Sequence, residues 1–201
     1  QELPLNKDSN SVAHPALNQE ETRLYFSSNM EGTIGLSDIW YVDIHKNGSY
    51  GTPINMGSEI NTEERETFPF ISDNNTLFFS SDGHVGLGGL DIFKVSDNDL
   101  VHKEIINLGL PINSNQDDFG FIVNEQEKIG YLSSNRDGNN GSSSDDIYLI
   151  TENCNLVIYG AITDSNTGNP LDGSLVYLID ENNEVISQQV TNANGNYSDE
   201  T

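Results

Sequence analysis

The 201 residues carry 8 basic against 32 acidic side chains, a formal charge of −24 at pH 7, so nucleic-acid backbones and anionic bilayers are repelled and neither is expected as a partner. No run approaches the roughly 18 apolar residues of a membrane span, and the opening Gln1-Glu2-Leu3-Pro4-Leu5-Asn6 is unlike a signal peptide, which places any export signal outside these residues. The one cysteine, Cys154, excludes an internal disulfide and a cysteine-rich zinc site.

Apolar residues make up 34% of the chain, yet they are bunched. Leu24-Tyr25-Phe26, Ile39-Trp40-Tyr41-Val42 and Leu77-Phe78-Phe79 are short apolar runs between segments rich in Asn, Asp, Ser and Gly, the pattern of strands between turns. No segment sustains a helical apolar period, so the fold class is all-β.

The runs repeat. Phe26-Ser27-Ser28, Phe79-Ser80-Ser81 and Leu132-Ser133-Ser134 place their second serines at 28, 81 and 134, two intervals of 53 residues. Asp38-Ile39-Trp40, Asp91-Ile92-Phe93 and Asp146-Ile147-Tyr148 follow those serines by 10, 10 and 12 residues across glycine-containing loops. Met56-Gly57 with Ile60-Asn61 matches Leu108-Gly109 with Ile112-Asn113, and His14-Pro15-Ala16-Leu17, Phe68-Pro69-Phe70-Ile71 and Phe119-Gly120-Phe121-Ile122 align as the opening of each unit. Each unit holds four short strands, in a length near the roughly 40–50 residues of a propeller blade. One such sheet cannot bury both faces alone, whereas blades packed face to face around an axis can. The aspartates Asp38, Asp91 and Asp146 are expected to accept backbone amides at the turn entering a strand. Ile39, Ile92 and Ile147 should occupy equivalent environments.

Phe-Ser-Ser, a glycine-rich loop and Asp-Ile-aromatic, in three copies, resemble the TolB-type WD-like propeller repeat of bacterial envelope proteins, over about residues 1–152. Family blades often carry Arg after Ser-Ser-Asn, as at Arg136, whereas Met30 and Gly83 stand at the other two positions. Leu3-Pro4-Leu5-Asn6 matches Leu110-Pro111-Ile112-Asn113, so the sequence is expected to begin inside a blade and to be a fragment. Three blades, fewer than the four to eight of a closed ring, should leave apolar faces open at the first and third.

Beyond residue 152 the pattern changes. Leu156 to Asp164, Ser174 to Asp180 and Val185 to Val190 read as strands, and Thr191 to Tyr197 starts another. Gly160, Thr163-Asp164, Thr167-Gly168, Pro170-Leu171 and Asn194-Gly195-Asn196-Tyr197 resemble, in that order, the carboxypeptidase regulatory-like domain, a transthyretin-like β-sandwich. The reading is therefore a partial propeller of three four-stranded blades over 1–152 and an incomplete sandwich over 153–201. That domain order resembles Bacteroidetes OmpA-family envelope proteins. It implies a periplasmic or outer-membrane-associated location, with peptidoglycan bound only through a further domain that these residues do not include.

Catalytic signals are sparse. His14, His45, His84 and His102 lack metal-ligand spacing, and His14, aligned with Phe68 and Phe119, reads as a core or blade-edge substitution. Asn47-Gly48-Ser49-Tyr50-Gly51 lacks the first glycine of a nucleophile elbow. Asp137 to Asp146 is rich in oxygen donors for calcium but breaks the EF-hand pattern, and a solvated hairpin loop is the favoured reading. Gly86-Leu87-Gly88-Gly89 lacks the lysine and helix of a phosphate loop and reads as turn flexibility. Trp40 and Tyr50 raise carbohydrate binding, although Trp40 lies in an apolar run. No catalytic, cofactor or metal residue is assigned. The expected function is a non-enzymatic module that docks envelope proteins through its loops or central mouth. The alternative is the accessory propeller of a periplasmic peptidase, which would call for a hydrolase elbow downstream.

Overall fold

A computed structural model describes residues 2–96, 104–137, 144–152, 157–180 and 182–200. They form two compact units, Gln1–Glu152 and Asn153–Thr201. All regular structure is strand: β1 Val12–Leu17, β2 Arg23–Ser28, β3 Asp38–Asp43, β4 Ile54–Asn55, β5 Glu66–Ile71, β6 Thr76–Ser81, β7 Asp91–Ser96, β8 Ile105–Asn107, β9 Asp118–Asn124, β10 Ile129–Ser134, β11 Asp146–Thr151, β12 Val157–Ala161, β13 Leu175–Ile179, β14 Val185–Val190 and β15 Asn196–Glu200.

The first unit is a partial β-propeller. Two antiparallel sheets, β1-β2-β3-β4 and β5-β6-β7-β8, are successive four-stranded blades. The third blade shows three strands, β9-β10-β11, among the described residues, in place of the four expected. Residues 153–156, directly after it, lie outside the description, and Cys154 with them. The opening strands β1, β5 and β9 pack against one another in turn, whereas β4 and β8 pair only within their own sheets, so the blades fan out from an inner edge.

Burial follows from being stacked. A central blade has a neighbour on each face, so burial runs along its strands instead of alternating. In β2 and β6 the last five residues are all buried. Tyr25 and Ile39 of the first blade meet Leu77, Phe79, Phe93 and Val95 of the second, with Ile60 from the connector between them. The second blade turns Phe78 and Ile92 towards Phe121 and Leu132 of the third. Each such side chain contributes about 2 kcal/mol by leaving water.

At the two ends of the stack the outcomes differ. The outer face of the first blade, expected to be open, is covered: Leu24, Phe26, Trp40 and Val42 are buried with Leu5, and Leu3 and Val12 pack beside them. Leu5 thus sits at the first blade as Ile60 and Ile112 sit between later ones. The third blade is open as expected. Ile39, Ile92 and Ile147 hold the same register, opposite Ser27, Ser80 and Ser133. Their environments are nevertheless not equivalent, because Ile147 is 78% exposed against 0% for the other two. Among the described residues no blade lies over it.

The repeated serines are turn devices. The second serine of each pair accepts, at Oγ, the N–H two residues on: Met30 at 3.1 Å, Gly83 at 3.0 Å and Arg136 at 3.1 Å. The following side chain, Asn29, Asp82 or Asn135, accepts the N–H of Ser11, Arg65 or Asp117 just before the blade's first strand. Asn61 grips Ile39 through both its N–H and its C=O, at 2.8 and 3.1 Å, and Asn113 grips Ile92 in the same way.

In the second unit β12 pairs with β15 and β13 with β14, all antiparallel. Short turns are tied by aspartates. Asp164 accepts the N–H groups of Thr167 and Asn166, and Asp180 those of Glu184 and Asn182. The Thr167 and Glu184 amides lead in holding these two carboxyls below the ordinary range.

Candidate functional site

The inner edge of the propeller is built from a bulge that recurs in each blade. Ala13 pairs with Ser27 and Ala16 with Tyr25, so His14 and Pro15 face one residue, Phe26. Phe68 and Pro69 likewise face Phe79, and Gly120 and Phe121 face Leu132. The first residue of each bulge has positive φ: 54° at His14, 49° at Phe68 and 65° at Gly120. Register therefore matches Gly120, not Phe119, with His14 and Phe68, a one-residue correction to the sequence alignment. Glycine takes this backbone shape freely, whereas His14 and Phe68 hold it against a steric cost of roughly 1–3 kcal/mol each.

Ring packing accompanies the strain. His14 stacks on Phe68 with centroids 3.8 Å apart, and Phe68 meets Phe119 at 5.0 Å. The His14 Nδ1 shares a 2.7 Å hydrogen bond with the Thr67 hydroxyl, and burial pushes the imidazole pKa down. Beside this column lies an open groove of about 330 Å³, lined among others by Pro15, Leu17, Phe70 and Ile122. Leu17 is 45% and Ile122 48% exposed. Three blades thus combine to present an apolar, aromatic-floored surface at the propeller's inner edge.

The acids of the repeat are occupied elsewhere. Asp38 accepts the N–H groups of Ile34 and Gly35 at 2.8 and 3.2 Å, and Asp91 those of Leu87 and Gly88 at 2.8 and 3.0 Å. Both do what their place before a strand suggests. The loop that would show the same for Asp146, and that held the calcium candidate, lies largely outside the described residues, at 138–143. Glu66, fully buried, accepts the Thr62 N–H and hydroxyl and the Ser81 hydroxyl, each at 2.7 Å. Asp118 takes its place in the third blade, holding Ser114 and the Arg136 guanidinium. Arg136 also donates to the Pro111 and Ile112 carbonyls, so it clasps a connector. Asn61 and Asn113 stand out in the sequence as repeat landmarks, although not their grip on the isoleucines; Glu66 does not, because its partners belong to other elements of the repeat, and its recurrence 52 residues later as Asp118 is the signal that could have found it.

The remaining candidates are dispersed. His84 donates from Nε2 to the Ile60 carbonyl at 2.7 Å and packs on Phe79 and Phe93. His45 sits in a tight hairpin with Ser49, whose hydroxyl donates to Asn47. His102 lies outside the described residues. Trp40 is buried in the first blade and Tyr50 packs against the same cluster, so neither offers a free loop aromatic. Gly88 is not there for flexibility: a Cβ on it would lie 2.1 Å from the Gln116 carbonyl oxygen, so the loop needs glycine to lie on the next blade. A polar cleft of about 440 Å³ includes Glu20, Arg23 and Asp43, but Arg23 is committed to Asp43 at 2.9 Å and to the Tyr41 ring. Among the described residues no three His, Cys, Asp or Glu side chains are placed to hold a metal, and no helix is long and apolar enough to cross a membrane.

No family model and no curated protein matches the chain. Among solved structures it is similar to TolB from Acinetobacter baumannii, at 14% sequence identity and a TM-score of 0.42, over 94% of this chain and 43% of that one. The chain thus spans less than half the length of that structure.

Proposed function

We propose that the chain is a non-catalytic docking module of a bacterial envelope protein, a propeller arc whose inner-edge groove receives a protein partner. The carrying observation is the division of labour within unit 1. The repeated carboxylates and serines are spent on turns and connectors, while the three bulges converge on an apolar groove that stays open. Aromatic floors with exposed aliphatic rims suit protein recognition. The envelope assignment rests on the resemblance of the repeat to TolB-type blades. The second unit, read as a carboxypeptidase regulatory-like sandwich, would serve as a spacer, and its place in an OmpA-type architecture rests on domain order.

Immobilised chain, exposed to envelope extract of the producing bacterium, should retain a protein that the Leu17→Asp variant loses and a Leu87→Asp variant keeps. Retention indifferent to Leu17 would remove the groove from the account. Turnover of peptide or ester substrates by the purified chain would remove the non-enzymatic reading.

A further inference from the structure

The loops 29–37 and 82–90, which join β2 to β3 and β6 to β7, lie at the same end of the first unit as the connectors 56–65 and 108–117. Five aliphatic side chains stand in water there: Val85, 95% exposed, Leu110, 76% exposed, and Ile34, Leu36 and Leu87. None of them lines the inner-edge groove.

Single exposed aliphatics need no explanation, but these share one tied surface. The aspartate before the third strand takes the N–H of an exposed aliphatic in both blades, Asp38 that of Ile34 and Asp91 that of Leu87, each at 2.8 Å. Leu36 donates its N–H to the Glu64 carbonyl at 2.8 Å, and Asn107 Nδ2 donates to the Val85 carbonyl at 3.3 Å. Beside Leu110, the Pro111 carbonyl accepts from Arg136 at 2.9 Å. The pieces also abut. A Cβ on Gly35 would lie 2.4 Å from the Thr62 carbonyl oxygen and one on Gly83 1.9 Å from the Thr62 hydroxyl, so the first connector touches both loops. Backbone held in this way presents its side chains at little cost in entropy on binding.

The charge of this end is one-sided. Glu31, Glu59, Glu63 and Glu64 are exposed among the aliphatics, whereas Arg65 is paired with Asp82 and Arg136 with Asp118. Apolar contacts set between carboxylates complement a polypeptide whose apolar side chains are flanked by Lys or Arg. An anionic membrane, or a second copy offering the same acidic end, would be repelled. We infer that this end is a second docking surface, separate from the inner-edge groove, and that it takes a basic polypeptide segment bearing apolar side chains.

The test pans a random dodecapeptide display library on the immobilised 201-residue chain, with a Val85→Ser, Leu110→Ser double variant for counter-selection. Both side chains lie in water, so the double variant should melt as the parent does. Enriched peptides should combine Leu, Ile or Phe with Lys or Arg, and as synthetic peptides should bind the double variant at least about ten-fold more weakly. Raising NaCl from about 0.05 to about 0.5 M should weaken their binding to the parent about ten-fold, and to a Glu63→Gln, Glu64→Gln variant by less. Leu17→Asp, in the groove, should bind them as the parent does, so that either surface can fail without the other. Enrichment of acidic or uncharged sequences would overturn the inference, as would no enrichment. Equal affinity for parent and double variant would reduce the effect to attraction by net charge and overturn it too. So would binding of the parent, but not of the double variant, to phosphatidylcholine vesicles, which would assign the aliphatics to a membrane.

Discussion

Blades two and three carry the same motif and meet different fates. Thr76–Ser81 hides its last five residues, whereas Ile129–Ser134, in the equivalent strand, alternates exposed and buried. Asp91–Ser96 buries Ile92 completely, and Asp146–Thr151 leaves Ile147 in water. The difference lies in the neighbour, not in the residues. Burial in a stacked fold belongs to the interface, so one side chain type is a keystone in one copy of the repeat and an attachment point in the next.

Substitution should expose this contrast most strongly at the paired isoleucines. Ile92→Lys places an unpaired charge in a closed core and should abolish the cooperative urea transition of the first unit, a loss above about 4 kcal/mol. Ile147→Lys should stay within about 0.5 kcal/mol of the parent in the 201-residue chain; similar losses at both positions would erase the distinction.

Next in size are the buried carboxylates. Glu66→Ala strands the Thr62 and Ser81 donors and should cost about 3 kcal/mol. Asp118→Ala should cost less, because the Arg136 side chain it abandons is 19% exposed and can turn to water. Thermal melts of the two variants give the order, and a larger loss at Asp118 would reverse the reasoning. Gly88→Ala should cost about 1–3 kcal/mol by calorimetry through the clash with Gln116, and a neutral result would mean that the second blade's loop can lift off the third.

The smallest effect should be one of pH. Burial lowers the folded-state pKa of His14 below its ordinary 6.5, so as pH falls through 6.5 the unfolded chain takes up a proton first. Stability attributable to this group is complete above that value and declines towards the lowered one. His14→Asn, which tolerates positive φ, should flatten the slope of melting temperature against pH in that window; an unchanged slope would assign it to other groups.

Strand positions were legible because short apolar runs and turn-forming side chains coincide at Phe26-Ser27-Ser28 and Asp38-Ile39-Trp40 and at their copies. The inner edge was less so. A bulge adds one residue to one strand without changing composition, and Phe119-Gly120-Phe121 looks like Phe68-Pro69-Phe70 until pairing with Leu132 shows the shift. His14 read as a substitution, which fits its stacking on Phe68, but nothing in a linear pattern announces positive φ at a histidine. The cover over Trp40 was missed because Leu3 and Leu5 act on an element far along the chain. The groove is composed of three strands some fifty residues apart, and no local motif encodes it.

The N–H groups of Glu66 and Asp118 point back to carbonyls of the blade already made. A nascent chain leaving the ribosome therefore meets, at the start of the second and third repeats, a template with its acceptors in place. Assembly acquires a direction, and the growing end, not the completed stack, is the stage at which a chaperone or a rival strand has sticky surface to seize.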